Sequence, residues 1–100
     1  MSTTDEGAPV RRMYRYEVPV DGQPHFLRLS HSPVAVAAAG PDCVEFWAEH
    51  GGAEAERAFQ VFRTGHPLPG DARWIGTCPR VSGLVWHLFE LVSDGEEPAP

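Results

Sequence analysis

Between Met13 and Val20 the chain alternates. Tyr14, Tyr16, Val18 and Val20 fall on one side, and Met13, Arg15, Glu17 and Pro19 on the other. A period of two marks an extended strand, whose successive side chains point to opposite faces. The rhythm recurs further along. His25, Leu27 and Leu29 oppose Phe26 and Arg28, while Val34, Val36 and Ala38 share a face. Val44, Phe46 and Ala48 oppose Glu45, Trp47 and Glu49, and Phe59 and Val61 oppose Ala58, Gln60 and Phe62. The last run, Leu84 to Phe89, is apolar on both faces, which predicts a central strand.

Glycine and proline punctuate these runs at 21–24, 32–33, 40–41, 51–52, 65–70 and 79–83. Most breaks are 8–12 residues apart, the rhythm of short strands joined by turns. Residues 53–58 have the composition of a helical turn, but a loop running into a strand fits the spacing better. The pattern predicts an all-β fold, a small antiparallel β-sandwich or partly closed barrel of about seven short strands. A single β domain is expected over residues 11–92, with a disordered tail at 1–10 and an acidic disordered tail at 93–100. If the last two strands turn around Arg80 to Ser82, Cys78 stands opposite Leu84, Gly76 opposite Trp86 and Ile75 beside His87. Cys78 and His87 then lie on opposite faces of the sheet.

Composition changes this picture little. At 100 residues, 42% apolar and 22% charged, the chain has the proportions of one globular domain and not of a disordered or fibrous one. The net charge of −6 resides mostly in the tails: Asp5, Glu6, Asp94, Glu96 and Glu97 lie there, and all eight basic residues are arginines between Arg11 and Arg80. The nearly neutral body offers no strong field for a phosphate backbone, so no nucleic-acid partner is expected. No apolar run spans a bilayer and the first ten residues hold no apolar signal core, so the expected setting is cytoplasmic, without a membrane. Cys43 and Cys78 then read as reduced thiols, with a single disulfide between them as the alternative. The absence of Lys and Asn, with Ile75 the only isoleucine, suggests a G/C-rich genome.

Candidate chemistry is sparse. The loop from Arg63 to Asp71 is long for so small a domain. It gathers a cation (Arg63), a hydroxyl (Thr64), a flexible amide (Gly65) and an imidazole (His66), a set able to hold a phosphate- or carboxylate-bearing ligand. The plain alternative is a loop stiffened by Pro67 and Pro69 and hydrogen-bonded to itself. His87 can join that site as a base, or sit buried and neutral with one hydrogen-bond partner. No metal is expected, because His25, His31, His50, His66 and His87 lack ligand spacing, and no cofactor motif is present. There is no Gly-x-Ser-x-Gly elbow, and Cys78 and His87 are expected on opposite faces, so no catalytic residue is assigned. Trp47, between Glu45 and Glu49, is expected on a polar face, where an exposed indole among charges marks an interface. Met13 and Phe26 fall on outward positions too; a second covering sheet would make Trp47 core instead.

Several stretches together carry a resemblance. They are Tyr14-Arg15-Tyr16-Glu17-Val18-Pro19-Val20, Phe46-Trp47-Ala48, Phe59 through Pro67 with its Thr64-Gly65-His66-Pro67 element, Trp74-Ile75-Gly76-Thr77, and Val85-Trp86-His87-Leu88-Phe89-Glu90. Over residues 14–90 the chain resembles a family of small uncharacterised proteins, a domain of unknown function, from actinobacteria and bacteriophages. The resemblance implies a bacterial or phage setting and a cytoplasmic location, and carries no activity. The expected function is a small non-catalytic binding or interaction protein, self-associating or meeting a bacterial or phage protein partner. A binder of a small anionic ligand, or a minimal enzyme using the 63–71 loop, is the alternative.

Overall fold

The computed structural model describes residues 10–81 and 83–92; of the tails expected at 1–10 and 93–100, residues 1–9 and 93–100 lie outside the described residues. Seven strands follow one another: β1 (Arg12–Pro19), β2 (His25–Leu29), β3 (Pro33–Ala38), β4 (Cys43–His50), β5 (Ala55–Arg63), β6 (Arg73–Val81) and β7 (Leu84–Leu91). They form two antiparallel sheets, one of three strands in the order β1-β4-β3 and one of four in the order β2-β5-β7-β6. The two sheets stay separate, so the architecture is a sandwich and not a closed barrel. Strand β7, apolar on both faces in sequence, is central in the larger sheet. The charged edge of β1 (Arg12, Arg15, Glu17) discourages pairing with another chain.

The core lies where the alternation places it. Val18, Val44, Phe46 and Ala48 from the smaller sheet meet Leu29, Phe59, Val61, Cys78, Trp86 and Leu88 from the larger. Phe46 joins the layers, its ring 5.1 Å from Phe59 across the sandwich and 5.1 Å from Tyr16 beside it. Each such fully buried side chain stabilises by about 1.5–3 kcal/mol relative to an exposed one. Gly76 sets how closely the sheets approach: a Cβ there would lie 2.7 Å from Cγ2 of Val36 on the facing strand β3. The glycine therefore makes room for Val36, and not for the Trp86 indole expected from the hairpin register.

That register is itself corrected. Val81 pairs with Leu84 and, after a register shift between Cys78 and Val81, Cys78 stands opposite Trp86, Thr77 opposite His87 and Gly76 opposite Leu88. The shift is two residues, which preserves the faces: Cys78 is buried inside and His87 lies outside. Ile75 falls in a bulge between Trp74 and Gly76 instead of beside His87. A second bulge between Pro33 and Ala35 breaks the alternation of β3, so Val34 is 64% exposed while Val36 and Ala38 pack on the core. An extra residue in one strand reverses the facing of everything before it.

Candidate functional site

The loop after β5 owes its length to topology. Strands β5 and β6 are both antiparallel to β7 and flank it, so they run parallel to each other. The chain leaves β5 level with Trp86 and enters β6 level with Glu90. The connection has to return about 13 Å along β7 and step about 10 Å across it. Its first turn closes through the His66 amide, which donates to the Arg63 carbonyl at 3.1 Å, with Gly65 at φ +92°. Most other residues would be strained there.

This turn sends the expected side chains in two directions, although Arg63, Thr64 and His66 still share the lining of a cleft of about 420 Å³ with Gly83, Leu84 and Val85. Thr64 is carried to the outer face of the larger sheet, where its Oγ1 lies 2.7 Å from Nε2 of His87. Nδ1 of the same ring lies 3.0 Å from Oγ1 of Thr77, which accepts the Trp74 Nε1–H at 3.0 Å. His87 is therefore half-buried with two hydroxyl partners, not buried with one. Each ring nitrogen of His87 thus meets one threonine hydroxyl, a group able to donate or accept. Thr64 and His87 have the separation of a nucleophile and its base, but the position of an orienting carboxylate is taken by Thr77. The arrangement works as a strut that fastens the loop to β7. Trp74 and Thr77, three residues apart, share this face only because of the bulge between Trp74 and Gly76; Gly76 in the middle of an apolar run was the one sequence signal for it.

Arg63 and His66 face the other way, toward the mouth of the sandwich. Strand β2 pairs with β5 only as far as Phe59, so the last residues of β5 extend past it. There Val20, Asp21 and Gly22 of the β1–β2 turn, Val61 and Arg63 of β5, His66 and Trp86 enclose a cleft of about 330 Å³. The Arg63 guanidinium lies over the Trp86 ring, 5.7 Å from its centroid. Trp86 is 3% exposed, and its indole N–H is buried without a hydrogen-bond partner, at a cost of about 1–3 kcal/mol. Asp21 accepts from Nε2 of His25 at 2.9 Å and from the Gln23 amide at 3.0 Å. The His25 bond first, and the Gln23 bond second, hold its carboxyl below the ordinary value. Sequence reasoning missed Asp21 and Trp86 because they come from a turn and a strand remote from the loop.

The outer faces of the two sheets differ. On the smaller sheet, Arg15 bonds Glu17 and Glu45 at 2.7 and 3.0 Å, and Arg11 holds Glu49 with contacts of 2.8 and 2.6 Å. Trp47 stands among them on the face expected for it, half-buried in register between Arg15 and Ala35. On the larger sheet, Phe62 and Phe89 meet edge to face at 5.6 Å, flanked by Phe26 on β2 and Trp74 on β6, each 60% exposed. Charge stands there at one margin, where Arg28 opposes Glu56.

Neither cysteine is poised as a nucleophile. Both are free thiols, and burial pushes the pKa of Cys78 and of Cys43 up, away from the reactive thiolate. Among the described residues no three His, Cys, Asp or Glu side chains gather as metal ligands, and no helix is long and apolar enough to cross a membrane. Residues 9–99 match the model of a domain of unknown function, DUF7352, and the chain belongs to that family. No curated protein and no solved structure matches it.

Proposed function

We propose that this member of the DUF7352 family is a non-catalytic interaction protein that pairs with a second copy of itself through the outer face of its four-stranded sheet. The observation that carries this reading is the pair of exposed aromatics Phe26 and Trp74, each 60% exposed on the outer strands of a sheet face whose Phe62 is buried and Phe89 half-buried. A second copy suits it on charge. The chain carries −6 overall, so two copies repel, and a face on which the described strand residues bring charge chiefly at one margin, with Arg28 opposed to Glu56, is where they can approach. Four strands about 4.8 Å apart, over the four residue steps of about 3.4 Å between Phe62 and the level of Phe26, offer roughly 260 Å² per copy. That total lies in the range of weak, transient interfaces. The proposed setting is a bacterial or phage-infected cytoplasm, a reading supported by the resemblance to actinobacterial and phage proteins.

Sedimentation across about 10–500 μM tests the reading. A reversible monomer–dimer equilibrium is expected, abolished by Trp74→Glu or Phe26→Glu and unchanged by Trp47→Ala. A strict monomer throughout, or a dimer broken at Trp47 and not at Trp74, overturns it.

A further inference from the structure

The cleft at the mouth of the sandwich lies away from the proposed pairing face and carries a separate inference. We propose that it binds a small organic monocarboxylate with an apolar body. Four features converge. Arg11, Arg15, Arg28 and Arg57 each hold a carboxylate of their own chain, whereas the contact of Arg63 is the Trp86 ring. A guanidinium resting on an aromatic face is pre-organised to present its fork to a carboxylate. Val20 and Val61 supply apolar wall, and a volume of about 330 Å³ suits a molecule of several carbon atoms. The third feature is the buried Trp86 N–H, a donor that its own chain leaves unmet.

The fourth feature sets the charge of the ligand. Asp21 lines the same cleft, and its bonds to His25 and Gln23 favour the ionised form. One cation and one anion on the lining balance, so a multiply charged phosphate meets a stronger repulsion from Asp21 than a single carboxylate at the Arg63 end does. This narrows the ligand class from phosphate or carboxylate to carboxylate. It also reassigns the residues: Arg63 and His66 remain, Thr64 and His87 serve the strut on the opposite face, and Asp21, Val61 and Trp86 join.

Titration of the full chain with hexanoate, hexanol and inorganic phosphate, followed by NMR at the Trp86 indole N–H and the Arg63 side chain, tests the assignment. Hexanoate is expected to shift both signals with a Kd of about 1–10 mM. Hexanol, which matches its body without the charge, binds about tenfold more weakly, and phosphate gives no saturable shift. Arg63→Gln weakens hexanoate about tenfold, and Asp21→Asn strengthens it several-fold. Equal binding of hexanol and hexanoate, saturable binding of phosphate, an unaltered Arg63→Gln variant, or no shift up to about 50 mM hexanoate would each overturn the proposal.

Discussion

The two sheets share one core yet turn different surfaces outward. The three-stranded sheet covers itself with ion pairs made by its own chain, Arg15 with Glu17 and Glu45 and Arg11 with Glu49, and folds Trp47 in among them. The four-stranded sheet covers the part nearest the 64–72 connection with a chain of hydrogen bonds joining Trp74, Thr77, His87 and Thr64, and leaves Phe26 and Trp74 open. Exposed ion pairs contribute little to stability but keep a surface soluble. An aromatic surface gives up that solubility. The contrast is one of degree, since Met13 on β1 and Val34 on β3 of the smaller sheet are exposed as well, although both sheets descend from the same two-residue alternation.

The largest disturbance removes what the two faces have in common. Phe46→Ala takes out the ring that joins the layers and should destabilise by about 3–5 kcal/mol, seen as an early urea midpoint with both faces lost together. Gly76→Val should cost about 1–3 kcal/mol by forcing Val36 and its sheet away, lowering the melting temperature. Thr64→Val acts on one face only. Losing its bond to His87 should cost about 0.5–1.5 kcal/mol, and hydrogen exchange should quicken in the 64–72 connection and not in β1 or β4. If exchange rises equally in both sheets, the strut is not local. The smallest effect is on the charged face and the β1–β2 turn, with acid. Glu49 is held below its ordinary 4.5, chiefly by Arg11, and Asp21 below its ordinary 3.8, chiefly by His25. The unfolded chain therefore takes up these protons first. Their stabilisation is complete above those values and fades as pH falls through the lower folded-state ones. Glu49→Gln with Asp21→Asn should flatten that part of the urea-midpoint profile, by an amount near the limit of detection.

The strands were legible because alternation is a local property that burial enforces. Tyr16, Val18, Phe46 and Phe59 face inward as read, and β7 lies centrally as its two apolar faces require. What escaped was everything decided by one added residue or by chain order. The bulge in β3 exposes Val34, and that in β6 brings Trp74 and Thr77 onto one face; neither leaves more than a glycine or proline in the sequence. The final hairpin is displaced by two residues from the expected register, which keeps faces and changes partners. The Arg63–Asp71 loop drew notice by its length, yet that length follows from stepping across β7. Arg63 and His66 were visible as chemistry, whereas Asp21 and Trp86 become their neighbours only once the two sheets close.

The place of β7 also orders the birth of the fold. It is the seventh strand to be synthesised and the second from the edge of its sheet, bonded on one side to β5 and on the other to β6. Until Leu84–Leu91 leaves the ribosome, β6 has no partner in its own sheet and β5 has only the five residues of β2. The smaller sheet, complete once β4 is made, has until β7 follows only the β2–β5 pair to cover it, with Phe59 over Phe46 but without Trp86 and Leu88. Folding of this chain is thus held back to the end of translation of the domain, and a nascent chain arrested before residue 84 should remain open to protease.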